Sequence, residues 1–131
     1  MLTAVAAQFA GCGDSGTGKA TSATVAAPTQ IAGSCNNVEG GYCSEYTGSG
    51  LKDVQVLRLT CEAVKATFLP SGCPIDGRVG VCVENKGKAT ETLAYYYTHF
   101  PSPRLKLTKG EVAAEGERQC TQGKGHWILL K

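Results

Sequence analysis

The residues best able to do chemistry in this chain are its seven cysteines and two histidines. Thiolates and imidazoles can bind a metal ion, but the sequence has no Cys-x-x-Cys pair, and His99 and His126 lack the spacing of a zinc site. A thiolate can also be a nucleophile when an imidazole takes its proton, and Cys120 with His126 or His99 is the combination that fits this role. So many cysteines without such spacing favour disulfides formed in an oxidising compartment. We predict no metal site and no cofactor.

Four of the cysteines belong to a pattern that the sequence uses twice. The pattern is Gly-x-Cys, then Tyr-Thr, then Cys-x-x-x-Lys-x-x-aromatic-aliphatic. Its copies are Gly33-Ser-Cys35, Tyr46-Thr47 and Cys61 to Leu69, and then Gly80-Val-Cys82, Tyr97-Thr98 and Cys120 to Ile128. We interpret the pattern as an internal duplication, and chance similarity in a cysteine-rich chain is the alternative.

The repeat narrows the fifteen pairings that six cysteines allow. If equivalent cysteines pair equivalently, Cys35 bonds to Cys61 and Cys82 bonds to Cys120. Cys43 and Cys73 then form the third bridge. Bridges that close loops of tens of residues each contribute roughly 3 to 4 kcal/mol in the chain-entropy model.

The first half is predicted to form a hairpin, a helix and a short strand. The hairpin turns at residues 39–41, and alternation places Cys43 and Glu45 on one strand face. Ser49 is the predicted N-cap of a helix over about 50–65. Its apolar stripe consists of Leu51, Val54, Leu57, Cys61 and Val64. Phe68 and Leu69 form the short strand.

The second half is predicted to repeat that order. Val79, Val81 and Val83 share one face of the first strand, with Cys82 on the other. The return strand, 92–100, carries bulky residues on both faces, which is typical of a central strand. Thr108 and Glu111 have the spacing of a capping box, opening a helix to about Gln119, and 127–130 closes the chain as a strand. The predicted fold is a small disulfide-stapled α+β domain over 35–131, made of two pseudo-repeated ββαβ units.

The N-terminal residues Phe9-Ala10-Gly11-Cys12 resemble the lipobox of bacterial lipoproteins, whose cysteine is lipidated. Removing Cys12 from seven cysteines leaves an even set for disulfides. The resemblance implies an incomplete signal peptide over 1–11, lipidated Cys12, a flexible tether over 12–34 and an outer-membrane lipoprotein facing the periplasm or the cell surface. A tether of that length spans roughly 25 Å.

The remaining composition narrows the partners. The formal charge of +2, without runs of like charge, argues against nucleic acid. From Cys35 to Trp127 the domain resembles small cysteine-patterned lipoproteins and secreted proteins of myxobacteria-like species. That resemblance implies no catalytic residues.

We therefore expect a non-enzymatic envelope lipoprotein with a binding or structural domain. The predicted binding surface for an envelope protein, a glycan or an anionic polymer combines aromatic and basic residues, and the alternative is core tyrosines beside a solvated rim. Its members are Tyr95, Tyr97, His99, Lys86 and Lys88, with Arg104 and Lys106 nearby. Two other functions are an inhibitor of an extracellular hydrolase, acting through the loop 69–74, and a cell-wall peptidase that uses Cys120.

Overall fold

The computed structural model describes residues 31–131, in which six strands form one antiparallel sheet and two helices pack against it. Cys12, the predicted signal peptide and most of the predicted tether lie outside these residues. The predicted mixed α+β class is confirmed. In chain order the elements are β1 Ser34–Asn37, β2 Tyr42–Tyr46, α1 Val54–Ala63, β3 Thr67–Leu69, β4 Arg78–Glu84, β5 Thr92–Tyr97, α2 Lys109–Gln122 and β6 His126–Leu129. Among these residues, Ser34 opens β1, and the Ala32 amide donates to the Tyr46 carbonyl.

The sheet order is β3-β1-β2-β5-β4-β6. Strand β5 is central, as its two bulky faces predict, and it pairs with both β2 and β4. Tyr96 and Ala94 point to the helices, whereas Tyr95 and Tyr97 point to the opposite face. Both faces of β5 are therefore covered.

The main core lies between the sheet and α2. It consists of Val79, Cys82, Ala94, Tyr96, Phe100, Val112 and Cys120. Trp127 of β6 packs against this core between two glycines. A Cβ at Gly80 would lie 2.2 Å from its ring, and one at Gly116 would lie 2.5 Å from it. Gly116 lowers the helix propensity of α2, yet it provides the space that the indole occupies.

Both helices are capped by side chains. The predicted capping box of α2 is present, with the Glu111 amide donating to Thr108 Oγ1 and Glu111 Oε2 accepting from the Thr108 amide. Helix α2 runs to Gln122, one turn beyond the predicted end. Helix α1 begins at Val54, and its N-cap is Asp53, so the prediction of Ser49 is wrong. Gly50, beside Ser49, lies outside the helix, and its amide donates to the Ala89 carbonyl at 2.8 Å.

Only part of the predicted apolar stripe of α1 is buried. Leu57 and Cys61 face the sheet, whereas Val54 is 42% exposed and Val64 is 49% exposed. This helix is therefore held by few apolar contacts.

Two irregularities in the second half differ from the predicted alternation. The register of β4 shifts between Arg78 and Gly80, so Val79 packs in the main core with Cys82 and does not share a face with Val81 and Val83. Strand β5 ends at Tyr97, because the Phe100 amide turns back to the Tyr97 carbonyl at 2.9 Å.

Three disulfides join Cys35 to Cys61, Cys43 to Cys73 and Cys82 to Cys120, the pairs that the repeat predicts. Two of them tie a strand to a helix, β1 to α1 and β4 to α2. The third ties β2 to the connection between β3 and β4, which crosses the sheet on the face opposite the helices. Three disulfides indicate an oxidising, extracytoplasmic environment. Among residues 31–131, neither helix has the length and apolar character needed to cross a membrane.

Candidate functional site

The predicted aromatic residues of β5 are packed. Tyr97 is 5% exposed, and its hydroxyl donates to the Pro74 carbonyl at 2.7 Å. The Arg78 guanidinium lies over the Tyr95 ring, 3.7 Å from its centroid. Burial raises the pKa of both phenols. These two tyrosines hold the connection between the halves against the sheet.

A charged pair beneath this connection was not predicted from the sequence. Arg78 contacts Glu45 at 3.3 Å, and their side chains are 18% and 7% exposed. Glu45 Oε1 also accepts from the Cys73 amide, and Arg78 donates to the Cys73 and Pro74 carbonyls. The one available signal was the inward position of Glu45 beside Cys43 in the alternation of β2. The group fixes residues 73–74.

His99 lies at the far end of β5. Its Nε2 is 3.0 Å from the Val38 carbonyl oxygen, and it borders a cavity of about 170 Å³ with Pro74, Asp76 and Tyr97. Lys86 and Lys88 lie in the β4–β5 turn, at the other end of the strand. The six residues of β5 separate the two ends by roughly 20 Å. The structure therefore does not bring the predicted surface together.

Lys86 and Lys88 instead border a groove between the β4–β5 turn and the end of α2. This basic groove has a volume of about 450 Å³. Its polar side chains are Glu84, Asn85, Lys86, Lys88, Lys124 and His126. Lys124 lies between α2 and β6, and His126 is the first residue of β6, so distant parts of the sequence line this groove.

The lysines of the basic groove make no close ion pairs among the described residues. Within residues 31–131, Lys86, Lys88 and Lys124 form no ion pair within 4.0 Å. The Gly87 amide, then the Thr47 hydroxyl and to a smaller degree the Lys86 charge lower the pKa of Glu91. The lining side chains, three lysines and Glu84, carry a formal charge of +2, with Glu91 just outside the lining in the same turn, and His126 adds a ring nitrogen donor. Such an arrangement attracts anions.

The backbone of the groove is held by the helix end and a disulfide. Lys124 has a φ of 60°, and its amide donates to the Thr121 carbonyl. A Cβ at Gly125 would lie 2.3 Å from Cys82 Sγ, so this residue rests directly on the Cys82–Cys120 bridge. The position of Lys124 is thus set by the capped helix and the bridge.

The first half has a groove at the corresponding place, between the β1–β2 turn and the end of α1. This first groove has a volume of about 660 Å³. Its charged residues are Lys65 and Glu39, so its formal charge is zero. Lys65 has a φ of 57°, close to that of Lys124.

The remaining predicted cations do not join the basic groove. Arg104 borders a hollow of about 340 Å³ with Pro103, which adjoins the first groove at Glu39 and Ser102. Lys106 is exposed and lines neither groove.

The cysteines of the described residues are all oxidised. Cys120 is bonded to Cys82, so its sulfur carries no thiol beside His126. Within residues 31–131, no three His, Cys, Asp or Glu side chains are grouped as metal ligands would be.

The predicted inhibitory loop is fixed to the sheet through Cys73. Its amide donates to Glu45 and its carbonyl accepts from Arg78, so neither backbone group is available to a partner. Ile75, just after the loop, is 79% exposed.

Comparison of the chain with models of protein families, with curated proteins and with solved structures gives no match.

Proposed function

We propose that this protein is a membrane-anchored, non-enzymatic binding protein of the cell envelope and that the basic groove is its binding site for anionic ligands. The observation that carries the binding role is the basic groove itself, three lysines without ion-pair partners among the described residues, gathered on a disulfide-fixed frame. Uncompensated cations in a concave surface attract negatively charged groups.

The envelope location is supported by the disulfides and by cysteine parity. The six cysteines of the described residues form three bridges, so Cys12 is the seventh and has no partner left among them. A lipid on Cys12 accounts for that odd cysteine, and in lipoproteins of enveloped bacteria, glycine directly after it favours the outer membrane. The domain then lies within the reach of its tether, roughly 25 Å, from the membrane surface.

A binding role fits the chemistry of the domain better than catalysis. The candidate nucleophile Cys120 is bonded to Cys82, and a cysteine sulfur attacks as a free thiolate. The cysteine peptidase is therefore the least supported of the three functions.

The hydrolase inhibitor has one observation in its favour, an exposed Ile75 beside rigidly held residues. A protease recognises the backbone of an extended inhibitor as an added strand. The hydrogen bonds of Cys73 to Glu45 and Arg78 oppose that mode. The basic groove is thus the better supported site.

We further propose that the two halves are copies of one ββαβ unit. The element order repeats, and the sheet order is symmetric about the β2–β5 pair. Gly33 packs against Phe68 as Gly80 packs against Trp127. The Tyr46 amide donates to the Gly33 carbonyl, whereas Gly80, the counterpart of Gly33, lies opposite Tyr96. The structural counterpart of Tyr46 is therefore Tyr96, one residue before the Tyr97 of the sequence pattern.

Membrane fractionation tests the proposed function. In a chain with a complete signal peptide, Cys12→Ser is expected to move the protein from the membrane fraction to the soluble periplasm while its three disulfides still form. Membrane partition that is unchanged by Cys12→Ser would refute the lipid anchor.

A further inference from the structure

We infer that the ligand of the basic groove is a phosphate monoester, with Lys124 as the residue that determines its binding. The inference rests on the proposed role of the groove as an anion-binding site and names the chemical class of its ligand.

The charge of the groove matches that group. Three lysines and Glu84 leave a formal charge of +2. A phosphate monoester carries a charge of about −1.5 to −2 at neutral pH, whereas a carboxylate carries one negative charge. A phosphate therefore neutralises the groove more completely than a single carboxylate does.

The kind of cation also favours phosphate. The basic groove contains lysines and no arginine. The planar fork of a guanidinium matches the planar carboxylate, whereas ammonium groups act as point charges that can approach a tetrahedral phosphate from different sides. His126 adds a nitrogen donor at the α2 end of the groove.

Lys124 occupies a backbone position where glycine is the usual residue. Its φ of 60° lies in the left-handed region, just after α2, and its neighbours are Gly123 and Gly125. Glycine adopts this conformation without steric cost, so a lysine here places an ammonium group at the expense of the backbone.

Lys65 in the first groove allows ligand binding by Lys124 to be distinguished from a role at the helix end. Lys65 has the same backbone conformation after α1, and both lysines follow a helix end whose carbonyls favour a cation. Lys65 has Glu39 in its groove and no second lysine. It therefore serves as a matched control for everything except the cation cluster.

The test uses the purified full chain and ³¹P NMR with glucose 1-phosphate as the probe. Binding is expected to shift or broaden the phosphate signal, and unphosphorylated glucose should not compete. A parallel titration with inorganic phosphate shows whether the groove recognises the phosphate group alone or the whole ester. Equal affinity means that the groove recognises phosphate alone, and weaker affinity means that it also contacts the sugar.

Substitution by glycine tests the residue assignment. Lys124→Gly is expected to weaken binding of glucose 1-phosphate roughly tenfold or more, because it removes a hydrogen bond between charged groups. It should leave the thermal midpoint unchanged or higher, since the left-handed residue becomes glycine. Lys65→Gly should change the midpoint in the same direction and leave binding unchanged. Lys88→Gln, in the exposed turn, gives a second reduction in affinity without altering α2.

The inference is overturned if glucuronate binds as tightly as glucose 1-phosphate, if Lys124→Gly binds like the unsubstituted chain, or if Lys65→Gly loses as much affinity. Failure of the proposed function gives a different signal in the same spectra. Growth of the inorganic phosphate peak with time would show that the ester is hydrolysed, which contradicts a non-enzymatic role while leaving the site in place.

Discussion

The two grooves of this domain share a frame and differ in charge. Each lies between a hairpin turn and the end of the following helix, and each contains a lysine with left-handed backbone, Lys65 or Lys124. The first groove contains Glu39 as well as its lysine, whereas the basic groove contains Lys86 and Lys88 in addition to Lys124. Similar backbone geometry thus frames a concave surface without net formal charge in one half and a cationic one in the other.

The halves also differ in how their helices are held. Helix α2 packs through Val112 and Cys120 against a core that includes Trp127. Helix α1 buries Leu57 and Cys61 and exposes several valines and a leucine. The first half therefore relies more on its disulfide than the second half does.

The largest expected effect comes from removing one bridge at a time. Replacing Cys35 and Cys61 by alanine opens a loop of sequence separation 26, and replacing Cys82 and Cys120 opens one of separation 38. The chain-entropy model gives each a loss of about 4 kcal/mol, so it does not distinguish them. We expect hydrogen exchange to show that α1 loses protection in the first variant while α2 keeps much of its protection in the second. If α1 and α2 lost the same amount of protection, the halves would not differ in how much they depend on their disulfides.

The next effect concerns the charged pair that joins the halves. Arg78→Ala leaves Glu45 nearly buried without its cation, at an expected cost of about 3 kcal/mol in the free energy of unfolding. Urea denaturation measures this loss. The control is Arg118→Ala, which breaks an exposed ion pair with Glu115 on α2 and should leave the urea midpoint unchanged. Similar midpoints for the two variants would contradict a structural role for the buried pair.

A smaller effect tests the packing of the indole. Gly116→Ala places a methyl group 2.5 Å from the Trp127 ring, and we expect a net cost of about 1 to 3 kcal/mol and altered tryptophan fluorescence. Gly110→Ala lies in the same helix with nothing within 4 Å, so it should stabilise by about 0.5 kcal/mol. In the first half the position that corresponds to Gly116 is Leu57, four residues before Cys61. The ring that corresponds to Trp127 there is the smaller Phe68. If Gly116→Ala stabilised the protein, the proposal that Gly116 makes room for the Trp127 ring would be refuted.

The smallest effect is a pH dependence of the tyrosines around β5. Burial raises the pKa of Tyr96 and Tyr97 above the usual 10.0. The unfolded chain loses these phenolic protons first, so the corresponding stability is fully present below pH 10 and is lost as the pH rises through the folded pKa values. The ultraviolet absorbance of phenolate should therefore rise later in the folded chain than in the denatured chain. Coincident titration curves would contradict the burial of these side chains.

The sequence predicts those features that depend on local patterns or on the repeat. The capping box at Thr108, the central position of β5 and the three bridges are of this kind. The start of α1 was missed because the Gly50 amide is bound by Ala89, a contact between the halves that no local pattern encodes. The bulge beside Val79 was missed because alternation assumes an unbroken register.

The basic groove illustrates the same limit. The sequence indicates Lys86 and Lys88 only as cations near the aromatic strand. Their actual neighbours, Lys124 and His126, follow a helix much later in the chain. The sequence pattern places Lys65 and Lys124 at the same position after Cys61 and Cys120. Only the fold shows which hairpin turn faces each lysine.

Amide chemical shifts, measured while glucose 1-phosphate is added to the full chain, would show whether the basic groove binds an anion and the first groove does not. A single spectrum reports both grooves. We expect saturable shifts at Lys86, Lys88 and residues 123–126, with none at Val38, Glu39 and Lys65. Equal shifts in both grooves, or shifts confined to residues outside the basic groove, would contradict this expectation.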